Sequence, residues 1–147
     1  MQSAFVGRAA HARQCVIRMK TGDQEAAADY LRAVRGLPAE IRLIGLGQAL
    51  ATLRARDNKG SAALYTDVET WVMGRGIYQN TSSAPALLNA IIGPQSSAPP
   101  GSQLQQNYRL AVAEIDAYLA ILKRLAEVFL DDKGQAPRSS DSQRDSQ

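Results

Sequence analysis

The chain has 147 residues, 45% of them apolar and 21% charged, with a net charge of +3. Those values suit one soluble globular domain with room for a real core. They exclude a disulfide-stapled scaffold, since Cys15 is the single cysteine, and no apolar run reaches the ~18 residues needed to span a bilayer.

Residues 3–20 read as an amphipathic helix, with Phe5, Ala9, Ala12, Val16 and Met19 at helical spacing and Ser3 as a plausible N-cap. Thr21-Gly22 ends it, and Asp23 caps a second helix over 24–35 that turns Ala27, Tyr30, Leu31 and Val34 inward. Gly36 is expected to stop that helix. The next stretch, LPAEIRLIGLGQALATLRAR (37–56), is apolar around its whole circumference through Ile41, Leu43, Ile44, Leu46, Leu50 and Leu53. A helix of that kind is usually buried, so it is read as the central helix of the fold. Pro38 suits its first turn, and Arg54 and Arg56 suit the negative end of its dipole. Gly45 and Gly47 interrupt the pattern and imply a neighbour's backbone close by, or a bend.

Asp57-Asn58-Lys59-Gly60 is turn chemistry. A fourth helix over 61–73 presents Leu64, Tyr65, Val68, Trp71 and Val72, and Gly74-Arg75-Gly76 closes it. Four of the six prolines fall in 79–103, where a short helix over 86–92 precedes an expected loop at 93–102. The last helix, about 102–131, is the longest. One broad apolar stripe runs from Tyr108 to Phe129, and a second carries Ala117, Ile121 and Val128. Such a helix touches neighbours on two sides, one of them the core. Residues 132–147 are expected to be disordered on composition. The expected architecture is an all-α, single-domain bundle of five to six helices over 1–131.

The chemistry-bearing residues are sparse. His11 is the only histidine and Cys15 lies four residues on, but no third His or Cys ligand is at hand to complete a metal site. Gly45-Leu46-Gly47 lacks the preceding strand and the Lys-Ser/Thr of a phosphate loop. No catalytic set, metal or cofactor is expected. The start, MQSAFVGRAAHARQ, has no continuous apolar segment, which with the lone cysteine suggests the cytoplasm.

Charge distribution says more than the total. Residues 1–59 hold ten Lys/Arg against five Asp/Glu, whereas 60–131 hold four against six. A positive N-terminal part with Arg in excess of Lys suits a polyanion held through its phosphates. Few aromatics are present, which argues against recognition by base stacking. Glu127 is within helical reach of Lys123 and Arg124, so self-pairing is the competing account of those two cations.

Two stretches carry a resemblance. LPAEIRLIGLGQALATL and NYRLAVAEIDAYLAILKRLAEVF resemble the signature and the last helix of the small helical subunit of the Cmr-type (type III-B) CRISPR RNA-targeting complex. RAAHARQCV matches that family's first helix more loosely, and order and spacing agree over residues 5–130. The departures, at Ile44, Thr52, Ala120-Ile121 and Leu125, fall mainly on packing positions. The resemblance implies an all-helical, non-catalytic subunit. Its copies stack in a filament beside the backbone subunits that carry the guide RNA, in a complex with the large subunit, and target RNA is held by basic residues. Motif match carries over Arg8, Arg109, Lys123 and Arg124 as RNA-binding candidates; the N-terminal charge bias adds Arg54, Arg56 and Lys59. The rival readings are a helical protein-interaction adaptor without nucleic acid, and a DNA-binding regulator. The second is weakened by Glu25 and Asp29 beside Arg32 and Arg35 on what would be the recognition helix.

Overall fold

A computed structural model describes residues 4–78, 84–92 and 101–130. Six helices make up the fold: α1 (Ala4–Thr21), α2 (Gln24–Ile44), α3 (Leu46–Ala55), α4 (Lys59–Gly74), α5 (Ala86–Ile92) and α6 (Gly101–Leu130). The all-α expectation, the helix count and the long last helix hold. Ser3, the 93–100 part of the expected loop and the 132–147 tail lie outside the described residues.

The main departure is in the middle of the chain. The second helix does not stop at Gly36 but runs on through Pro38 to Ile44. Pro38 costs the Val34 carbonyl its intrahelical donor, yet Val34 and Leu37 are fully buried against the rest of the bundle. Packing of that face overrides the local breaker. The stretch 37–56 is therefore two helices, and its first part is not buried all round: Leu43 is 82% exposed. The central role passes to α2, which packs on α1, α3, α4 and α6.

The break falls at Gly45, whose φ of +88° is open to glycine and strained for other residues. Gly45 N–H donates to the Ile41 carbonyl at 2.9 Å and closes α2, while its own carbonyl accepts from Ala49 N–H at 3.0 Å and opens α3. One residue thus caps both helices. From α6, the Tyr108 hydroxyl accepts the next free donor, Leu46 N–H, at 3.3 Å. The close backbone approach expected near Gly47 lies elsewhere. A Cβ at Gly47 would meet a side chain, Ile92 Cγ2, at 2.8 Å. A Cβ at Gly60 would run into Tyr30 N and sit 2.6 Å from Ala26 O, so it is there that α4 crosses α2 backbone to backbone.

Caps place the other starts. Asp23 accepts from Ala26 N–H at 3.3 Å at the head of α2, and Asn58 accepts from Ser61 N–H at 2.7 Å at the head of α4. Arg8 pairs with Glu114 and His11 with Tyr118, so α1 runs parallel to α6. Arg35 meets Glu127 and Arg42 approaches Asp116, so α2 runs antiparallel to it. The core fills the space between these helices and α4, with Leu50, Leu64, Val68, Ile115, Leu119 and Leu122 fully buried.

Candidate nucleic-acid interface

The interior holds the polar groups that sequence reading singled out for chemistry. His11 Nδ1 lies 2.7 Å from the Tyr118 hydroxyl, and Cys15 Sγ lies 3.7 Å from each of these groups. Trp71 stacks on Tyr118 with ring centres 5.6 Å apart. Burial pushes the Cys15 thiol up to about 11 and holds His11 below its ordinary value. A thiol so placed is inert, and the pair serves packing between α1, α4 and α6. Among the described residues no group of three His, Cys, Asp or Glu side chains could hold a metal ion.

Two buried carboxylates organise the arginines around them. Glu114 accepts from Arg8 Nε at 3.0 Å and Nη2 at 2.8 Å, and from Trp71 Nε1 at 2.7 Å; Arg75 Nε stands 3.7 Å away. The Arg8 hydrogen bonds hold the Glu114 carboxyl below the usual range against the cost of burial. Asp67 Oδ2 accepts from Arg18 at 2.7 Å and from the Tyr30 hydroxyl at 2.8 Å. Arg8 is thus engaged inside the bundle, its side chain only 20% exposed.

The remaining candidates fall into two groups. Arg54, Arg56 and Lys59 surround the turn between α3 and α4. Arg56 is tied to Glu40 at 2.6 Å, Arg54 lies 5.2 Å over the Tyr65 ring, and Lys59 is exposed at the first turn of α4. Arg109, Lys123 and Arg124 lie on the outer face of α6, all exposed, and none makes an ion pair among the described residues. Glu127 does not take up its helical neighbours; it accepts from Arg35 of α2 at 3.3 Å. Helical rise separates Arg109 from Lys123 by about 21 Å, a span that several phosphates of an extended strand can track.

Residues 6–129 match the family described as CRISPR-associated protein (Cas_Cmr5). The chain belongs to the Cas_Cmr5 family. That family supplies the small subunit of the type III-B Cmr complex, and the all-helical bundle agrees with it. No curated protein and no solved structure matches the chain. The matched region spans every candidate cation of this Cas_Cmr5 chain, from Arg8 to Arg124.

Sequence reasoning missed Arg13, exposed on α1 beside α6, and Arg42, which is 75% exposed at the C-terminal end of α2. Arg42 lines a groove of about 350 Å³ between α2 and α6 with Arg109, Asp116, Pro38, Ile41 and Val112. No local motif marks it, because residues some seventy positions apart form the groove. No described helix is long and apolar enough to cross a membrane.

Proposed function

We propose that the chain is a non-catalytic structural subunit of a type III-B effector complex in the cytoplasm, acting in antiviral RNA silencing. It stacks with further copies of itself beside the backbone and large subunits, and it holds single-stranded target RNA, paired to the guide, through phosphate contacts. The observation that carries the reading is the outer face of α6. Arg109, Lys123 and Arg124 stand there together in solvent with no ion-pair partner among the described residues, whereas Arg8, Arg18 and Arg56 are committed to carboxylates. Exposed cations in line suit backbone contact without base readout. Arg54 and Lys59 add a second basic edge at the α3–α4 turn.

The test is RNA affinity of the assembled complex at several salt concentrations. Each phosphate neutralised on a single strand contributes about −0.7 to the slope of log K against log[salt]. Lys123→Glu with Arg124→Glu is expected to weaken capture and flatten that slope by about 1.4. Unchanged affinity and slope would favour the alternative, a helical adaptor without nucleic acid.

A further inference from the structure

Eight large apolar side chains of the described residues are well exposed, and they are not scattered. Leu43, Ile44, Ile92 and Tyr108 surround the Gly45 break, where Ile92 reaches Gly47 and the Tyr108 hydroxyl reaches Leu46 N–H. Phe5, Val6 and Leu110 lie at the same end, because α1 runs parallel to α6 and both begin there. Only Val128 sits at the other end, near exposed Lys20, Asp23 and Glu25. One end of the bundle is therefore apolar and the opposite end polar. Exposed apolar surface gathered in this way marks an interface.

The charges at the apolar end select the occupant. Arg42 is 75% exposed, and its nearest carboxylate, Asp116, lies 3.9 Å away and is itself 64% exposed. Arg109 stands beside them on the groove rim, so two guanidiniums and one carboxylate border an apolar floor of Pro38, Ile41 and Val112. A loose solvated pair of this kind exchanges readily for a partner's carboxylate. The far end of a second copy supplies one exposed apolar side chain, Val128, and so does not complement this end.

We propose that the apolar end, centred on Leu43 and the α2–α6 groove, docks a different protein subunit of the complex, one that presents apolar side chains flanked by carboxylates. The inference rests on the reading of the chain as a structural subunit, and it adds a partner chemistry and a place.

A photo-crosslinking side chain at Leu43, in the complex reconstituted with its other subunits and RNA, tests it. The expected result is an adduct with a different protein subunit, and a much lower yield from the same probe at Val128. An adduct with another copy of this chain or with RNA, no adduct, or equal yields from the two positions would overturn it. A second arm uses Arg42→Glu with Leu43→Asp, both at solvent-facing positions. Incorporation into the complex should fall at least tenfold while the melting temperature of the free protein is unchanged; undiminished incorporation would overturn the docking assignment and leave the subunit reading intact. Failure of the unaltered chain to join the complex would overturn that reading itself.

Discussion

The N-terminal arginines and the cations of α6 make opposite use of the same charge. Residues 1–59 hold ten of the seventeen Lys and Arg, yet Arg8, Arg18, Arg32, Arg35, Arg42 and Arg56 each face a carboxylate. α6 contributes only Arg109, Lys123 and Arg124, and all three remain in solvent without an ion-pair partner among the described residues. Charge counted along a chain is not charge presented to a ligand. The N-terminal excess is drawn inward because α6 and α4 supply buried acceptors, Glu114 and Asp67, that must be neutralised where water is excluded.

That contrast can be broken most forcefully at Glu114. Glu114→Ala leaves Arg8, the Trp71 indole N–H and Arg75 without their shared acceptor, and unfolding free energy should drop by about 3–5 kcal/mol, as when one member of a buried pair is removed. Chemical denaturation measures it; a loss below about 1 kcal/mol would mean that the site behaves as a surface pair. Asp67→Asn should cost less, about 1–3 kcal/mol, because the Tyr30 hydroxyl keeps an acceptor while the half-exposed Arg18 can turn to water. Equal damage from the two substitutions would remove the ranking of the two nodes.

A pH titration sharpens the interior side of the comparison. Burial lowers the His11 pKa below its ordinary 6.5, so between the folded value and 6.5 the unfolded chain binds more protons than the folded one. Stability conferred by His11 should therefore be intact above about pH 6.5 and decline as the pH falls through that window. His11→Gln should flatten this slope in thermal melts taken from pH 7.5 to 5.5. Glu114, held low chiefly by Arg8, works in the same direction at more acidic pH: its contribution is present above the ordinary carboxyl range and is lost as the pH falls toward its depressed folded value. The smallest expected effect lies outside. Arg109→Ala, Lys123→Ala and Arg124→Ala together should move stability by no more than about 0.5 kcal/mol, since these groups hold no described ion pair. A marked loss of melting temperature would place them in the scaffold after all.

Much of the fold was legible in the sequence, for identifiable reasons. The caps at Asp23 and Asn58 and the apolar stripe of α6 are local signals, and the helices they predict are present. The error at Gly36 and Pro38 came from trusting local breakers where Val34 and Leu37 are buried by distant helices. The error over 37–56 came from reading a patterned apolar circumference as burial, although Leu43 and Ile44 face solvent. Arg8 looked like an RNA contact because its partner, Glu114, lies 106 residues away and no local rule joins them. The α6 cations were found by motif match, but their freedom from Glu127 depends on Arg35 of another helix.

The double cap at Gly45 has a mechanical consequence. α2 ends and α3 begins on the same residue, so the elbow contains no spare chain to absorb a rotation. Tyr108 pins the far side of that elbow to α6. A torque applied at Leu43 is thus handed directly to α3, and through it to the turn that carries Arg54, Arg56 and Lys59. The apolar end and the basic edge behave as two arms of one lever.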